Sequence, residues 1–423
     1  AWKPLLWLTR VPLHYCNYTP GGRTPLRGFC PPQKEDGQFL PRLTAWSGSP
    51  CPNFMKVKAA VLRRINTPFS VEELDLAPPG PEEALVEMKA AGVCHSDWHL
   101  RTGATNYPLP VVPGHEGAGI VTAVGERVTR VRVGDHVSLN WAANCGECFY
   151  CRKGLPCLCA AYDTSNWAGT MPDGTTRFSR DGEAIRQFKM LGCFASHTVV
   201  PEVCCVPMPH SLPFPLAALI GCAVTTGVGA VRNRARVEPG DRVAVFGCGG
   251  VGLSILLAAR LAGANPILAV DTHPDKLAIA QRCGATEGLL IDADVTAKIR
   301  ERTEGRGADF VFEAVGIPSV QERCFEAVRP GGTLILAGLS AMGSLTNFPA
   351  ALLTRQEKTI AGTYYGSSDP QRDFPLYADL HLSGQLDLAP LVSRTYPPEE
   401  INEAFEAMLS GRIARAILDL TAP

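Results

Sequence analysis

The sequence lacks an excess of charge of either sign. Its 40 Lys and Arg residues balance 41 Asp and Glu residues, which leaves a net charge of -1. Proteins that bind nucleic acid or an anionic membrane through their overall field carry a basic excess. Neither partner is therefore expected, and small neutral substrates fit this composition better.

Long hydrophobic runs are also lacking. The longest uncharged run, residues 212–231, is broken by Pro213 and Pro215 and diluted by glycines and threonines. A transmembrane helix needs about 20 consecutive, predominantly apolar residues. The sequence therefore predicts no membrane span.

Residues 1–54 contain no methionine, and the first one is Met55. This segment is rich in Pro, Gly and Trp and has no sustained periodicity, whereas residues 55–62 alternate like an edge strand. We expect residues 1–54 to be an extension that is non-native or disordered. A transit peptide is the alternative: its basic excess favours that reading, and its many prolines and missing amphipathic helix speak against it.

The pattern of apolar and turn residues changes twice along the remaining chain. Residues 55–223 show short β-like runs, such as 119–124 and 133–139, between glycines and prolines. Apolar runs then alternate with helical patterns, which predicts βαβ units on a parallel sheet. After residue 366 the first pattern resumes and ends in a helix and a strand. We therefore predict an α/β protein with a β-rich domain (55–223 and 367–423) and a doubly wound Rossmann domain (224–366).

A glycine-rich turn follows the first strand of the Rossmann region. Gly247, Gly249 and Gly252 form G-x-G-x-x-G, with Gly250 inside the motif and Asp271 at the end of the next strand. Such a turn lets pyrophosphate approach backbone N–H groups at a helix N-terminus. Asp271 would bind the adenosine ribose and repel a 2′-phosphate, so NAD is favoured over NADP. A glycine-rich helix start without a ligand is the alternative.

Five of the 16 cysteines lie in or beside one short segment. Cys145, Cys148 and Cys151 are followed by Cys157 and Cys159, and four thiolates at this spacing can enclose one Zn²⁺. A saturated site of this kind leaves no position for substrate, so its role would be structural. Spacing favours Cys159 as the fourth ligand, with Cys157 as the alternative.

A second set of metal-binding residue types is dispersed along the chain: Cys94, His115 and Cys222. Each alone could be an ordinary buried residue. Together, two thiolates and one imidazole leave a fourth position open, as in catalytic zinc sites.

These motifs, in this order, resemble those of the zinc-containing medium-chain alcohol dehydrogenases, close to the liver-type and formaldehyde dehydrogenase branch, over residues 55–420. The resemblance implies a GroES-like catalytic domain and two zinc ions per chain. It implies Cys94, His115 and Cys222 as ligands of a catalytic zinc, Asp97 and Glu116 as carboxylates that orient the ligands, and Cys145, Cys148, Cys151 and Cys159 as the structural site.

The implied reaction is reversible hydride transfer between an alcohol and NAD, with zinc acting as a Lewis acid on the alcohol oxygen. Ser96 resembles the hydroxyl that takes the alcohol proton, and His99 resembles the end of the relay to solvent. An ordinary surface histidine is the alternative for His99.

Further residues are implied to contact the cofactor: Lys276 at the adenosine ribose, Thr226 under the nicotinamide and Arg415 at the pyrophosphate. His95 stands where some relatives carry a pyrophosphate-binding arginine, which predicts a weaker, more pH-dependent grip on the cofactor. Lys276, Thr226 and Arg415 could each equally be a solvated surface residue.

The resemblance places Trp141 and Phe188 in the substrate pocket, where an aromatic wall favours apolar or aromatic primary alcohols. Glutathione-dependent formaldehyde oxidation is the alternative, suggested by the long loop 162–189. Asp163 speaks against it, because it replaces an arginine of those enzymes and would repel a glutathione carboxylate. A zinc-stabilised NAD-binding protein without turnover and a reductase of activated double bonds are further alternatives.

The expected partners are a small-molecule alcohol or aldehyde and further copies of the chain, as a homodimer or homotetramer. The many cysteines with metal-like spacing favour a reducing compartment, so a cytoplasmic location is predicted.

Overall fold

The computed structural model describes residues 54–421. The predicted extension lies outside the described residues, except for Phe54. Within the described range the strands are β1 (Met55–Val61), β2 (Ser70–Leu76), β3 (Glu83–Gly92), β4 (Val111–Val112), β5 (Glu116–Val124), β6 (His136–Leu139), β7 (Phe178–Arg180), β8 (Glu183–Gln187), β9 (His197–Pro201), β10 (Cys205–Pro207), β11 (Val243–Phe246), β12 (Ile267–Asp271), β13 (Glu287–Leu290), β14 (Ala308–Glu313), β15 (Val328–Leu336), β16 (Thr359–Gly362), β17 (Val392–Tyr396) and β18 (Arg415–Asp419).

The α-helices of this range lie between the strands in both the β-rich part and the Rossmann part. They are α1 (His95–Thr102), α2 (Phe149–Arg152), α3 (Asp163–Ala168), α4 (Phe214–Leu219), α5 (Thr225–Gly229), α6 (Gly250–Leu261), α7 (Pro274–Arg282), α8 (Val295–Arg302), α9 (Pro318–Ala327), α10 (Ala350–Arg355), α11 (Pro370–Leu382) and α12 (Ile401–Leu409). The helix and strand predicted at the end of the chain are confirmed as α12 and β18.

Two sheets form the β-rich part. One has the order β1-β2-β7-β8-β4, and the other has the order β10-β6-β5-β3-β18-β17 with β9 also paired to β3. Strand β18 runs antiparallel to β3. The last strand of the chain therefore completes a sheet that begins in the first third of the sequence, as the resumed β pattern after residue 366 predicted.

The third sheet is parallel and has the order β13-β12-β11-β14-β15-β16. Its central strand β11 (VAVF) is entirely buried, because helices cover both faces of such a sheet. The strand order reverses between β11 and β14, and ligands of doubly wound sheets bind at this switch point. The predicted α/β class, a Rossmann sheet beside a β-rich domain, is confirmed.

One continuous helix, Phe214–Ala235, joins α4 and α5 through π-helical turns at Ile220–Val224 and Ala230–Ala235. It is long and apolar enough to cross a membrane, but 89% of its most apolar window is buried inside the protein, as in a core helix. It also runs across the predicted boundary at residues 223 and 224. The two domain boundaries stay predictions.

Candidate functional site

A cavity of about 540 Å³ opens at the carboxyl ends of the parallel strands. The glycine turn after β11 lines it on one side, and Cys94 and Cys222 line it on another. Both sequence signals, the nucleotide motif and the dispersed cysteines, therefore meet in one space. Pockets of this size suit a cofactor together with a small substrate.

The glycine turn has the conformation that the motif requires. Gly247 has a φ of +93°, which favours glycine. A Cβ on Gly252 would overlap the carbonyl oxygen of Gly247, so a side chain is excluded there. Gly249 precedes α6, which begins at Gly250, so backbone N–H groups at a helix N-terminus border the cavity.

Asp271 ends β12 and lines the same cavity. Its Oδ2 accepts a hydrogen bond from the Cys248 amide at 2.7 Å, and Lys276 Nζ lies 3.9 Å from the same oxygen. Thr226, on α5, also lines the cavity. The residues that the family resemblance implies as cofactor contacts thus all line this one cavity.

Cys94, His115, Glu116 and Cys222 form a buried cluster, in which one ligand atom from each residue lies within 4.8 Å of the others. Cys94 follows β3 directly before α1, and Cys222 lies in the π-helical turn Ile220–Val224. π-helical turns are rare and are frequent at functional sites. A hydrogen bond to Cys222 lowers the pKa of Cys94 and raises that of Cys222, so the pair favours one thiolate at Cys94.

Two carboxylates and one guanidinium surround this cluster. Asp97 Oδ1 accepts a hydrogen bond from the Gly114 amide at 2.8 Å and lies 3.3 Å from His115 Nδ1, which leaves Nε2 for a ligand. Glu116 Oε1 accepts from Arg415 Nη2 at 2.7 Å, and its Oε2 has no partner within residues 54–421. Burial raises the pKa of Glu116 to about 7 despite the opposing charge of Arg415.

Arg415, the residue predicted to bind the pyrophosphate, contacts both the buried cysteine cluster and the glycine turn. Its guanidinium bonds to Glu116 and to the Val93 carbonyl. The same group would meet a Cβ placed on Gly250, so it also lies against the N-terminus of α6. Arg415 thereby connects the thiol cluster with the glycine turn.

Cys145, Cys148, Cys151 and Cys159 form the second cluster, with all four sulfurs within 4.8 Å of one another. Adjacent Sγ atoms lie 3.6 to 4.0 Å apart. A tetrahedral Zn²⁺ with Zn–S bonds of about 2.3 Å separates sulfurs by about 3.8 Å. Cys157 is buried outside this cluster, so the structure brings Cys159 and not Cys157 to the other three.

Three of the four residues predicted for the proton relay and the substrate pocket line the cavity. Ser96 and His99 both line the cavity, and Ser96 Oγ lies 3.8 Å from Cys94 Sγ. Trp141 lines it as well. Phe188 does not: this predicted pocket residue is buried behind the lining, with its ring 5.5 Å from that of His115 at 88°. Its ring packs against the imidazole of His115, and its role in substrate binding stays a prediction.

Tyr364 and Tyr365 also line the cavity, and the sequence analysis did not identify them as pocket residues. Their rings lie 5.2 and 4.1 Å from Trp141, so three aromatic residues form the wall. Both follow β16, and side chains directly after a parallel strand face the ligand crevice. That position after the last strand was the signal that could have identified them.

Comparison with known families agrees with this geometry. Residues 80–210 match the family described as alcohol dehydrogenase GroES-like domain, and residues 250–383 match the one described as zinc-binding dehydrogenase. The two matches span more than half of the chain. The chain belongs to the zinc-containing medium-chain alcohol dehydrogenase family. As predicted from its motifs, this dehydrogenase is an oxidoreductase.

Its relatives include S-(hydroxymethyl)glutathione dehydrogenases. The dehydrogenase is 39% identical to the one from Synechocystis sp. and 38% identical to one from Escherichia coli, in each case over 86% of this chain and 100% of the relative. Among solved structures it is similar to an alcohol dehydrogenase zinc-binding domain protein from Burkholderia ambifaria (38% identity, TM-score 0.83, 88% of this chain and 100% of the other). It is also similar to benzyl alcohol dehydrogenase from Acinetobacter calcoaceticus (32%, TM-score 0.82, 86% and 99%).

Zinc and NAD are the cofactors of this family, and the residues present fit both. The four-sulfur cluster has the spacing of a closed Zn²⁺ site, and the buried thiol and imidazole cluster has the donor set of an open one. The free Oε2 of buried Glu116 is consistent with a cation nearby. Asp271 at the end of β12 fits the ribose of NAD.

His95 provides a test of how the protein binds its cofactor. It lines the cavity, and the surrounding protein lowers its pKa by desolvation, so the ring is mostly neutral at pH 7. Arginine keeps its charge and can bind pyrophosphate with two hydrogen bonds. We expect His95→Arg to lower the NADH dissociation constant about tenfold in a fluorescence titration.

His210→Arg is the control for this change, because His210 is an exposed histidine that does not line the cavity. It should leave NADH affinity unchanged. Equal affinities of wild type and His95→Arg would contradict the placement of His95 beside the pyrophosphate.

Proposed function

We propose that this dehydrogenase transfers hydride reversibly between a primary alcohol and NAD. The observation that carries the proposal is the single cavity that Cys94 and Cys222 share with the glycine turn and Asp271. A substrate oxygen near the two sulfurs and a nicotinamide over Thr226 would lie in the same enclosed space. That arrangement suits direct transfer between the two molecules.

A zinc ion held by Cys94, His115 and Cys222 would supply Lewis acidity to the alcohol oxygen. The protein's own residues do the rest. Ser96, on the first turn of α1, would accept the alcohol proton, and half-buried His99 would pass it to solvent. The aromatic wall of Trp141, Tyr364 and Tyr365 would exclude water from the reacting atoms.

For the substrate, we propose S-(hydroxymethyl)glutathione, the adduct of glutathione and formaldehyde. The names of the two curated relatives described above favour it over the simple alcohol expected from the sequence. Asp163, the residue that speaks against an anionic substrate, accepts a hydrogen bond from Trp167 Nε1 at 3.1 Å. Burial lowers the pKa of nearby Lys189 to about 8, and the charge of Asp163 opposes this effect, so the two charges attract each other.

Aromatic primary alcohols are the second candidate. The tyrosine and tryptophan wall favours them, and so does the similarity to a benzyl alcohol dehydrogenase. A flat ring can stack between such side chains, whereas glutathione needs polar contacts along its length.

A rate assay separates the two candidates. NADH formation from formaldehyde is measured with and without glutathione, beside benzyl alcohol as substrate. We expect formaldehyde oxidation to require glutathione and to exceed benzyl alcohol oxidation in kcat/KM. A formaldehyde rate that is independent of glutathione, with faster benzyl alcohol oxidation, would favour the second candidate.

We also propose a cytoplasmic homo-oligomer. The 13 cysteines among the described residues are all free of disulfides, which supports a reducing compartment. Met342 and Leu345, before edge strand β16, are exposed by 87% and 83%. Such an apolar surface supports self-association, and sedimentation analysis would give the number of subunits.

A further inference from the structure

Lys189 is a buried lysine beside the substrate wall that the reaction described above does not use. It directly follows Phe188 after β8 and is only 6% exposed. Lys189 and Met190 have φ angles of 57° and 61°, a left-handed conformation that is unfavourable for residues with side chains. Such strain persists where surrounding structure enforces it, and it is concentrated at ligand-binding sites.

The ammonium group of Lys189 is surrounded by aromatic rings. Its Nζ lies 3.5 Å from the ring centre of Trp167, 5.8 Å from that of Phe188 and 5.9 Å from that of Trp141. Within residues 54–421 it has no hydrogen-bond acceptor. The rings provide cation–π attraction, but three N–H donors remain without an acceptor.

Burial lowers the pKa of Lys189 to about 8, while the charge of Asp163 opposes this effect. The group therefore remains mostly protonated at pH 7. Asp163 acts on Lys189 only through its charge, because Nζ has no hydrogen-bond partner within residues 54–421. A buried cation without a directly bonded counter-ion is costly, and such groups are usually paired.

Trp141 connects this cation to the substrate space. The ring of Trp141 lines the cavity and lies 6.3 Å from the ring of His115. Its indole Nε1 is also a buried donor with no acceptor among the described residues. Trp141 lines the cavity, whereas Lys189 lies behind the lining, with Nζ 5.9 Å from the centre of the Trp141 ring. These two unpaired donors, one charged and one neutral, together match an anion that accepts hydrogen bonds.

We propose that Lys189 is a specificity residue that binds a carboxylate of the alcohol substrate. The inference deepens the proposed function and rests on it. A carboxylate would supply the missing acceptors and the missing negative charge. Trp167, which covers Nζ and is 45% exposed, would have to move aside to admit it. S-(hydroxymethyl)glutathione carries carboxylates, and so does an aromatic alcohol such as 4-(hydroxymethyl)benzoate.

The test compares two alcohols that differ only in the carboxylate. The ratio of kcat/KM for 4-(hydroxymethyl)benzoate to that for benzyl alcohol is measured in wild type, Lys189→Met and Lys189→Arg. One charge-assisted hydrogen bond is worth about 10- to 100-fold. We expect the ratio to fall by about that factor in Lys189→Met and to be largely kept in Lys189→Arg. An unchanged ratio in Lys189→Met would overturn the inference.

Lys358→Met is the matched control. Lys358 is a buried lysine over an aromatic ring, that of Phe325, and it lies in the NAD-binding part away from the cavity. The ratio should not change in this variant. The kcat/KM for S-(hydroxymethyl)glutathione is measured in parallel. If Lys189→Met lowers it by the same factor as it lowers kcat/KM for 4-(hydroxymethyl)benzoate, Lys189 also binds a carboxylate of the glutathione adduct. A loss confined to the benzoate restricts the inference to aromatic carboxylates.

A binding measurement keeps this inference separate from the proposed function. Trp167 and Trp141 flank Nζ, so tryptophan fluorescence of the zinc- and NADH-loaded enzyme, which cannot oxidise the alcohol, should report binding of 4-(hydroxymethyl)benzoate. An enzyme that oxidises no alcohol would refute the proposed function, while the titration still decides the role of Lys189. Equal dissociation constants in wild type and Lys189→Met would overturn it.

Thermal unfolding excludes a merely structural role. Methionine has a similar shape and needs no counter-ion, so Lys189→Met should unfold at the same temperature or higher. A clear fall would instead identify the ammonium and Trp167 as a stabilising contact and contradict the inference.

Discussion

Replacing Cys222 by alanine is expected to reduce alcohol oxidation by about 1000-fold or more. The variant removes one of two buried sulfurs within 4.8 Å of His115, so the remaining donors would hold a catalytic zinc poorly. Loss of a Lewis acid worth about 4 kcal/mol or more of transition-state stabilisation corresponds to that factor. Zinc content should fall from two ions per chain to one, and NADH binding should persist. Rate assays, metal analysis and an NADH titration measure these three outcomes.

Cys324→Ala is the control for this prediction. Cys324 is also buried, but it lies in α9 and does not line the cavity. Its alanine variant should keep both zinc ions and most of the activity. Full alcohol oxidation by Cys222→Ala would show that the buried cluster does not support the reaction.

Replacing Cys159 by serine is expected to destabilise the β-rich part more than replacing Cys157 does. Its Sγ lies 3.6 Å from that of Cys145 and 3.8 Å from that of Cys148, and it accepts a hydrogen bond from the Cys145 amide. Metal binding to such a site contributes directly to folding. We expect loss of one zinc ion and a fall in the unfolding midpoint of at least about 5 °C.

Cys157→Ser provides the comparison within the same loop. Cys157 lies two residues away but outside the cluster, so its variant should keep two zinc ions and unfold near the wild-type temperature. If Cys157→Ser lost the metal and Cys159→Ser kept it, the assignment of the fourth ligand would be wrong.

The metal-binding residue types could be recognised in the sequence because their chemistry is restrictive. Few structures need four closely spaced thiols, and few turns need glycine at both Gly247 and Gly252. The parallel sheet was likewise readable from alternating strand and helix patterns. These features depend on local spacing, which a sequence displays directly.

The features that were missed depend on tertiary placement. Lysine is usually solvated, so nothing in residues 183–190 indicates that Lys189 is buried under Trp167. The left-handed backbone at Lys189 and Met190 is likewise not indicated by these residue types, because residues with side chains rarely adopt it. Arg415 and Glu116 are 299 residues apart, and their pairing follows only from β18 completing the sheet of β3.

The most direct test of the account is an anomalous scattering map, recorded at the zinc absorption edge from crystals of the protein. We predict two peaks per chain, one enclosed by the four sulfurs of the cysteine loop and one between Cys94, His115 and Cys222 at the edge of the cavity. A single peak at the cysteine loop, with NADH bound in the cavity, would contradict the proposed zinc-dependent reaction.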